Sequence, residues 1–289
     1  MPSLAAVVVA HDSAAVLPDC LAALAREHVP AIVVDNASGD GSAAFAEAAG
    51  ARVLRNARNE GYGRANDRGI REAASGLVLV VNPDVALRPG CADALVAAAE
   101  RYPDAALLAP RIVEPDGRLF FQPRSLLAST LTNPTGRRRL PDGDCCAPFL
   151  SGACLLIRRE AYLALGGFDP NIFLFYEDDD LCRRAADAGH ALVHVHGAEA
   201  LHRRGGSSAP SPERVFAARW HQAWSRAYVA RKYGLPDPTG RDASLNGLKA
   251  GLACLTLNRT RVARYAGTAA GALAARAGRT ALARENLKP

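Results

Sequence analysis

Short apolar runs alternate with amphipathic stretches along the first hundred residues. Leu4–Ala10 is an uninterrupted run of small and β-branched side chains, and it predicts a strand buried on both faces. Pro18–His28 has helical spacing, with Leu21 and Leu24 on one face. Ala31–Val34 predicts a second buried strand ending at Asp35, Ser42–Ala49 a helix, and Ala51–Leu54 a third strand. Tyr62–Ala74 reads as a helix, Leu77–Val81 as a fourth strand ending at Asn82-Pro83-Asp84, and Cys91–Arg101 as another helix. Regular alternation of this kind predicts an α/β fold with a Rossmann-like, mostly parallel sheet flanked by helices. Ligands of such sheets bind at the carboxyl ends of the strands. Here those ends carry His11-Asp12-Ser13, "DNASGDGS" and Asn82-Pro83-Asp84.

The pattern loosens after residue 105. "RIVEPDGRLFF" predicts a hairpin around Pro115-Asp116-Gly117. Residues 124–147 form a loop rich in Arg, Pro and Gly that includes Arg137, Arg138 and Arg139. "FLSGACLLIRR" predicts a strand, and "REAYLALGGFD" a short helix stopped by a glycine pair. A helix opens at Glu177 and runs to about Ala188, then a strand follows over Ala191–Val195. Residues 211–233 predict a long amphipathic helix with Phe216, Trp220, Trp224 and Tyr228 at helical spacing, and 241–285 a helical tail rich in Ala, Leu and Arg.

Composition narrows the partners. The formal net charge is +6, supplied mostly by Arg, which suits anionic or phosphate-bearing ligands. Aromatics make up only 6% and do not interleave with the arginines, which argues against nucleic acid. The seven cysteines are scattered without a CxxC pair, which fits reduced cytoplasmic usage. The opening residues lack the basic region and cleavage site of a secretory signal, and no run approaches the ~20 apolar residues of a membrane span.

Several polar clusters are candidates for chemistry, and each also has a plain structural explanation. Asp35 and Asn36 end a buried strand, where they could bond a base or ribose, yet Asn, Ser, Gly and Asp also build turns. Gly39, Gly41 and Ala44 match a loose dinucleotide fingerprint, but they follow the second strand and no acid ends the next one. Asn59, Gly61 and Gly63 form a loop before a helix whose first turn suits phosphate. Asp84 offers one carboxylate of the kind hard divalent cations prefer. His194 and His196 lie on one strand face with no third zinc ligand at a recognisable spacing. The run Phe173–Tyr176 into Glu177, Asp178, Asp179 and Asp180 carries more acid than a helix start needs. Asp180 is positioned to pair with Arg183 or Arg184, and Asp179 is expected to be solvated.

The order of these motifs is more informative than any one of them. "VVVAHDS", "VDNASGDGS", "NEGYGRAND", "VVNPD", "FLSGACLLIRREAY", "GGFDPNIFLFYEDDDLCRRAADAGH" and "LHRRGGS" together resemble family 2 glycosyltransferases of GT-A fold, nearest to the rhamnosyltransferase-like members. The resemblance covers about residues 4–233. It implies a GT-A catalytic domain over 1–233, with a nucleotide-binding half (1–104) and an acceptor half (105–233), followed by a C-terminal helical extension over 234–289. It implies nucleotide contacts from His11, Asp35, Asn36, Asn59, Gly61, Asn66 and Asn82. Asp84 would hold Mg²⁺ or Mn²⁺, with His202 completing the site; Asn82 stands where the family's metal motif carries its first acid. Ser151, Gly152 and Tyr176 would line the acceptor and sugar pocket. Glu177-Asp178 matches the family's catalytic pair, with Asp178 as base.

The implied reaction is inverting transfer from a nucleotide-diphospho-sugar to a glycan or lipid-linked acceptor of the cell envelope. dTDP-L-rhamnose is the favoured donor, with a UDP-sugar as the second choice. A sugar nucleotidyltransferase is the enzymatic alternative, though "AHDSAAVLP" lacks the Gly-rich basic motif expected after its first strand. A non-catalytic sugar- or partner-binding relative would have lost the base or the metal carboxylate, and both are present. The basic, leucine-bearing tail predicts either peripheral association with the inner face of the cytoplasmic membrane or packing on protein, including a second copy in a homodimer.

Overall fold

The computed structural model describes residues 4–121, 125–127, 140–203 and 211–284. The Arg137–Arg139 stretch lies outside them. In chain order the elements are β1 (Leu4–Ala10), α1 (Leu17–Arg26), β2 (Ala31–Asp35), α2 (Ser42–Ala48), β3 (Arg52–Arg55), α3 (Tyr62–Glu72) and β4 (Leu77–Val81). There follow β5 (Val85–Leu87), α4 (Cys91–Arg101), β6 (Ala105–Val113), β7 (Leu119–Phe120), β8 (Cys145–Cys146), β9 (Cys154–Arg158) and α5 (Arg159–Ala164). The chain closes with α6 (Glu177–Asp187), β10 (Ala191–His202), α7 (Pro212–Lys232), α8 (Thr239–Cys254), α9 (Arg259–Arg276) and a 3₁₀ turn at Ala281–Arg284.

The strands form one sheet in the order β3-β2-β1-β4-β9-β6-β10-β5, with β7 on β6 and β8 on β10. β3, β2, β1 and β4 are mutually parallel, as the alternating pattern predicts. β9 enters antiparallel between β4 and β6. β6 is a long buried strand where only a hairpin was expected; the hairpin exists as its β7 end, with Ile112 opposite Phe120. β10 also runs further than Ala191–Val195. A register shift between Val195 and Glu199 lets it continue past β6 to pair with β5.

Alternate strand residues explain the layers. Ala6, Val8, Leu79 and Val81 join Leu17, Leu21 and Leu24 of α1 and Leu95, Ala98 and Ala99 of α4 in one core. On the opposite face α3 meets the sheet at Gly69, where a Cβ would stand 2.4 Å from Val7 Cγ1, so no larger residue fits that approach.

The chain divides into two compact units. The first (Met1–Asn59, Arg64–Phe168 and Asp178–Ser208) contains the whole sheet. The second gathers Glu60–Gly63, Asp169–Glu177 and Ala209–Pro289, so α7 groups with α8 and α9. Small residues let α9 lie against α7: Cβ atoms added at Gly267 and Gly271 would stand 2.4 and 2.2 Å from the carbonyl oxygens of Phe216 and Trp220. Trp220 and Trp224 are buried there with Ala274 and Ala275, and the Trp224 indole N–H donates to the Arg279 carbonyl at 2.7 Å. Among the described residues no helix is long and apolar enough to cross a membrane.

Candidate active site

The ends of β1, β2 and β3 build one polar cluster. Asp35 ends β2 with its carboxylate buried, and Oδ1 accepts the Ser38 N–H at 3.3 Å. The side chain of the next residue, Asn36, donates to Asn59 Oδ1 and accepts from Asn56 Nδ2, both at 2.8 Å. His11 Nδ1 lies 3.0 Å from the Asn36 carbonyl. Asn66 is fully buried on α3. His11, Asp35, Asn36 and Asn59 are therefore brought together, and Asn56 joins them without any motif to announce it. The N-terminus of α2 has no room for a phosphate. Asp40 occupies it, accepting from Ala14 N–H at 2.8 Å and Ser42 N–H at 3.1 Å. Partial burial alone would raise the Asp40 carboxyl, but these bonds hold it below its ordinary value.

A second cluster surrounds Asp84. The turn Asn82-Pro83-Asp84 closes with Val85 N–H donating to the Asn82 carbonyl at 3.0 Å. β5 pairs with the end of β10 so that His202 stands opposite Val85. That register brings His202 Nε2 to 3.3 Å from Asp84 Oδ1, and both side chains are largely buried. Asn82 Oδ1 and His202 Nδ1 are buried without a hydrogen-bond partner. Burial of an unpaired acceptor costs about 1–3 kcal/mol, and a ligand bonded by Asn82 Oδ1 would recover that cost. Among the described residues no three His, Cys, Asp or Glu side chains converge on one point. The Asp84 carboxylate and the Asn82 amide oxygen are hard oxygen donors that would leave most positions of Mg²⁺ or Mn²⁺ to water and diphosphate oxygens, while the His202 imidazole is a less usual ligand for Mg²⁺.

The acidic helix α6 forms the third part. Asp178 Oδ2 accepts the Gly152 N–H at 3.1 Å and Oδ1 accepts the Asp179 N–H at 3.0 Å. Burial raises the Asp178 carboxyl above its ordinary value, and these two bonds limit the rise. Asp179 is not solvated. It is buried with Oδ1 accepting the Ser125 hydroxyl at 2.6 Å, and burial and the Asp178 charge push its carboxyl up to about 7. Helix periodicity places it on the covered side, a fact the bare run of acids conceals. Asp180 pairs with Arg184 at 2.8 Å, as its spacing predicts. The same guanidinium donates to the carbonyls of Leu165 and Gly167 at 2.8 and 2.7 Å, which pins α6 to the end of α5. Arg183 instead bonds Asp187 and the Leu127 carbonyl.

Other expected positions have their own surroundings. Ser151 Oγ accepts the Ala153 N–H at 3.3 Å. Glu177 is buried at the start of α6. Gly61 permits a close approach, but to the chain itself: at φ +82 its Cβ would stand 2.4 Å from the Phe173 carbonyl oxygen. Phe175 and Tyr176 both have positive φ, at 66° and 68°, a conformation that costs of order 1–3 kcal/mol per residue. Within the same unit, Ser225 Oγ donates to the Leu174 carbonyl at 2.9 Å and Phe173 stacks on His221, which fixes that segment. His194 is buried against the Phe121 ring edge, and burial pushes its imidazole down to about 4.

A parallel sheet with helices on both faces, polar groups at its strand ends and an inserted antiparallel strand define a GT-A type nucleotide-sugar fold. The sequence profile of Glycosyl transferase family 2 matches residues 5–166. The chain is 34% identical to N-acetylglucosaminyl-diphospho-decaprenol L-rhamnosyltransferase of Mycobacterium tuberculosis, over 69% of this chain and 78% of that protein. Two solved structures share the fold. One is GalNAc-T7 with UDP, GalNAc and Mn²⁺ (TM-score 0.60, 19% identity, 73% of this chain and 45% of that one). The other is the mannosyltransferase PcManGT of Pyrobaculum calidifontis with GDP-Man and Mn²⁺ (TM-score 0.56, 17% identity, 95% and 87%). The chain belongs to glycosyl transferase family 2 and is a rhamnosyltransferase-like glycosyltransferase.

Proposed function

We propose that this enzyme transfers L-rhamnose, with inversion, from dTDP-L-rhamnose to a lipid-linked acceptor in cell-envelope glycan synthesis. The relative from M. tuberculosis, named for rhamnosyl transfer to a diphospho-decaprenol acceptor, supports that choice of donor and acceptor. One observation carries the site assignment. The dipeptide Gly152-Ala153, just before β9, bonds Asp178 through its first N–H and accepts the Asn82 N–H at 2.8 Å through its second carbonyl. The carboxylate assigned as base and the turn bearing Asp84 are thus tied to one short segment.

In this reading Asp178 takes the proton of the acceptor hydroxyl as that oxygen bonds the anomeric carbon. The bond from that carbon to the diphosphate oxygen breaks on the opposite face, and the nucleoside diphosphate departs. The raised Asp178 carboxyl brings its proton affinity toward the working pH, which suits a general base. Asp84, His202 and the Asn82 amide oxygen would hold Mg²⁺ or Mn²⁺ against the diphosphate. A cation there supplies positive charge to the leaving group. Asp35, Asn36, Asn59 and His11 would bind the nucleoside end, and Ser151 and Gly152 the sugar and acceptor.

The test is transfer from dTDP-L-rhamnose to a short-chain N-acetylglucosaminyl-diphospho-prenol, with wild type and Asp178→Asn. Turnover is expected to fall about 10²–10⁴-fold in the variant, with donor binding nearly intact by calorimetry. Near-normal turnover in the variant would remove Asp178 from the role of base. Transfer from a UDP-sugar but not from dTDP-L-rhamnose would overturn the donor assignment.

A further inference from the structure

The C-terminal helices leave one apolar strip uncovered. Leu245, Leu248, Leu252 and Leu255 recur along α8 at intervals of three, four and three residues, which confines them to a narrow stripe of its surface. The buried residues of α8 are Thr239 and Ala253, on the other side of the helix. Leu245 is 39% exposed, Leu248 68% and Leu252 57%, and exposure is highest at the corner between α8 and α9, with Leu255 at 82% and Leu257 at 89%. Leu257 sits at the tip of that corner with φ +53. A single exposed leucine is ordinary, but a contiguous row of five is not.

The exposed charges on α8 and on the first turns of α9 are cations, with Glu213 at the start of α7 the acid that faces Arg259. Arg241, Lys249, Arg259, Arg261 and Arg264 are all exposed. Residues 239–282 contain a single acid, Asp242, and it is paired with Arg226 at 3.1 Å. A second copy of the chain docked through a self-complementary contact would set these cations against their own kind. An anionic bilayer meets both features, with leucines entering the acyl boundary and cations meeting lipid phosphates.

We infer that the outer face of α8 and the α8–α9 corner dock peripherally on an anionic lipid bilayer. The inference is independent of donor and acceptor, because vesicle binding requires neither.

The experiment is cosedimentation of the full chain with phosphatidylglycerol-rich and with pure phosphatidylcholine vesicles. Binding is expected only to the former, and it should weaken as the Debye length falls from ~10 Å at 0.1 M salt to ~3 Å at 1 M. Leu252→Glu combined with Leu255→Glu should lower partition by about tenfold or more, with thermal unfolding unchanged because both side chains are exposed. An environment-sensitive fluorophore at Leu248→Cys, on the stripe itself, with Cys145→Ser, Cys146→Ser and Cys254→Ser to prevent other labelling, should shift to the blue only with the anionic vesicles. Equal binding to both vesicle types, or partition unaffected by the double substitution, would overturn the inference. So would a wild-type dimer that binds no vesicles and becomes monomeric on that substitution, which would assign the face to a second copy.

Discussion

Asp179 sits against Asp178 and Asp180 with its carboxyl buried, so its replacement by Asn should stabilise the protein in a pH-dependent way. The residue is 9% exposed, and its carboxyl is pushed from an ordinary 3.8 up to about 7, by burial first and the Asp178 charge second. Because the folded-state value is raised, the folded chain holds this proton while the unfolded chain releases it. Stability is therefore full below about pH 4 and declines as pH rises toward 7. At about 1.36 kcal/mol per tenfold change in proton affinity, the penalty above pH 7 is at most about 4 kcal/mol. Asp178 and Asp179 titrate as a pair, so part of that penalty stays with Asp178 in the variant. The amide of Asp179→Asn keeps an oxygen to accept the Ser125 hydroxyl, so that bond survives the change. Urea unfolding followed by far-ultraviolet circular dichroism should show the variant equal to wild type near pH 4 and more stable by a few kcal/mol near pH 8. A stability difference that is the same at both pH values, or a variant weaker than wild type near pH 8, would refute the reasoning.

Asp84→Ala should weaken nucleoside-diphosphate binding even at saturating Mg²⁺ or Mn²⁺, and chelation should abolish transfer; full activity in excess EDTA would take Asp84 out of the metal role. Gly271→Ala would bring a methyl to 2.2 Å from the Trp220 carbonyl oxygen, and it should cost about 1–3 kcal/mol or more in urea unfolding read by tryptophan fluorescence. Gly247→Ala on α8 meets nothing within 4 Å and should instead gain about 0.5–1 kcal/mol, so equal effects of the two changes would exclude backbone contact as the cause.

Much of the first unit was readable from neighbouring residues alone. Buried strands such as Leu4–Ala10 and Leu77–Val81 announce themselves because a run covered on both faces has no polar position. The polar ends of those strands mark a candidate ligand region for the same local reason, and Asp180 with Arg184 follows from one turn of helix. Other features depend on residues far apart in the chain. β6 begins with an apolar run, Ala105–Ala109, as legible as the others, but Pro110 and Arg111 interrupt it locally, and its continuation to Val113 is seen only in its pairing with β10. His202 reaches Asp84 through a bulge in β10 and an antiparallel pairing to β5, neither of which has a local mark. The amide chain of Asn56, Asn36 and Asn59 needs the loops after β2 and β3 to converge. The tail divides along the same line: its small residues and leucines were visible in order, but which would be covered was not. α9 spends Gly267 and Gly271 on backbone contact with α7, while the leucines of α8 stay exposed. Periodicity determines which side chains share a face, since that follows from the geometry of a single helix or strand. What covers the face is determined by sheet order and helix packing, which join segments that no local pattern connects.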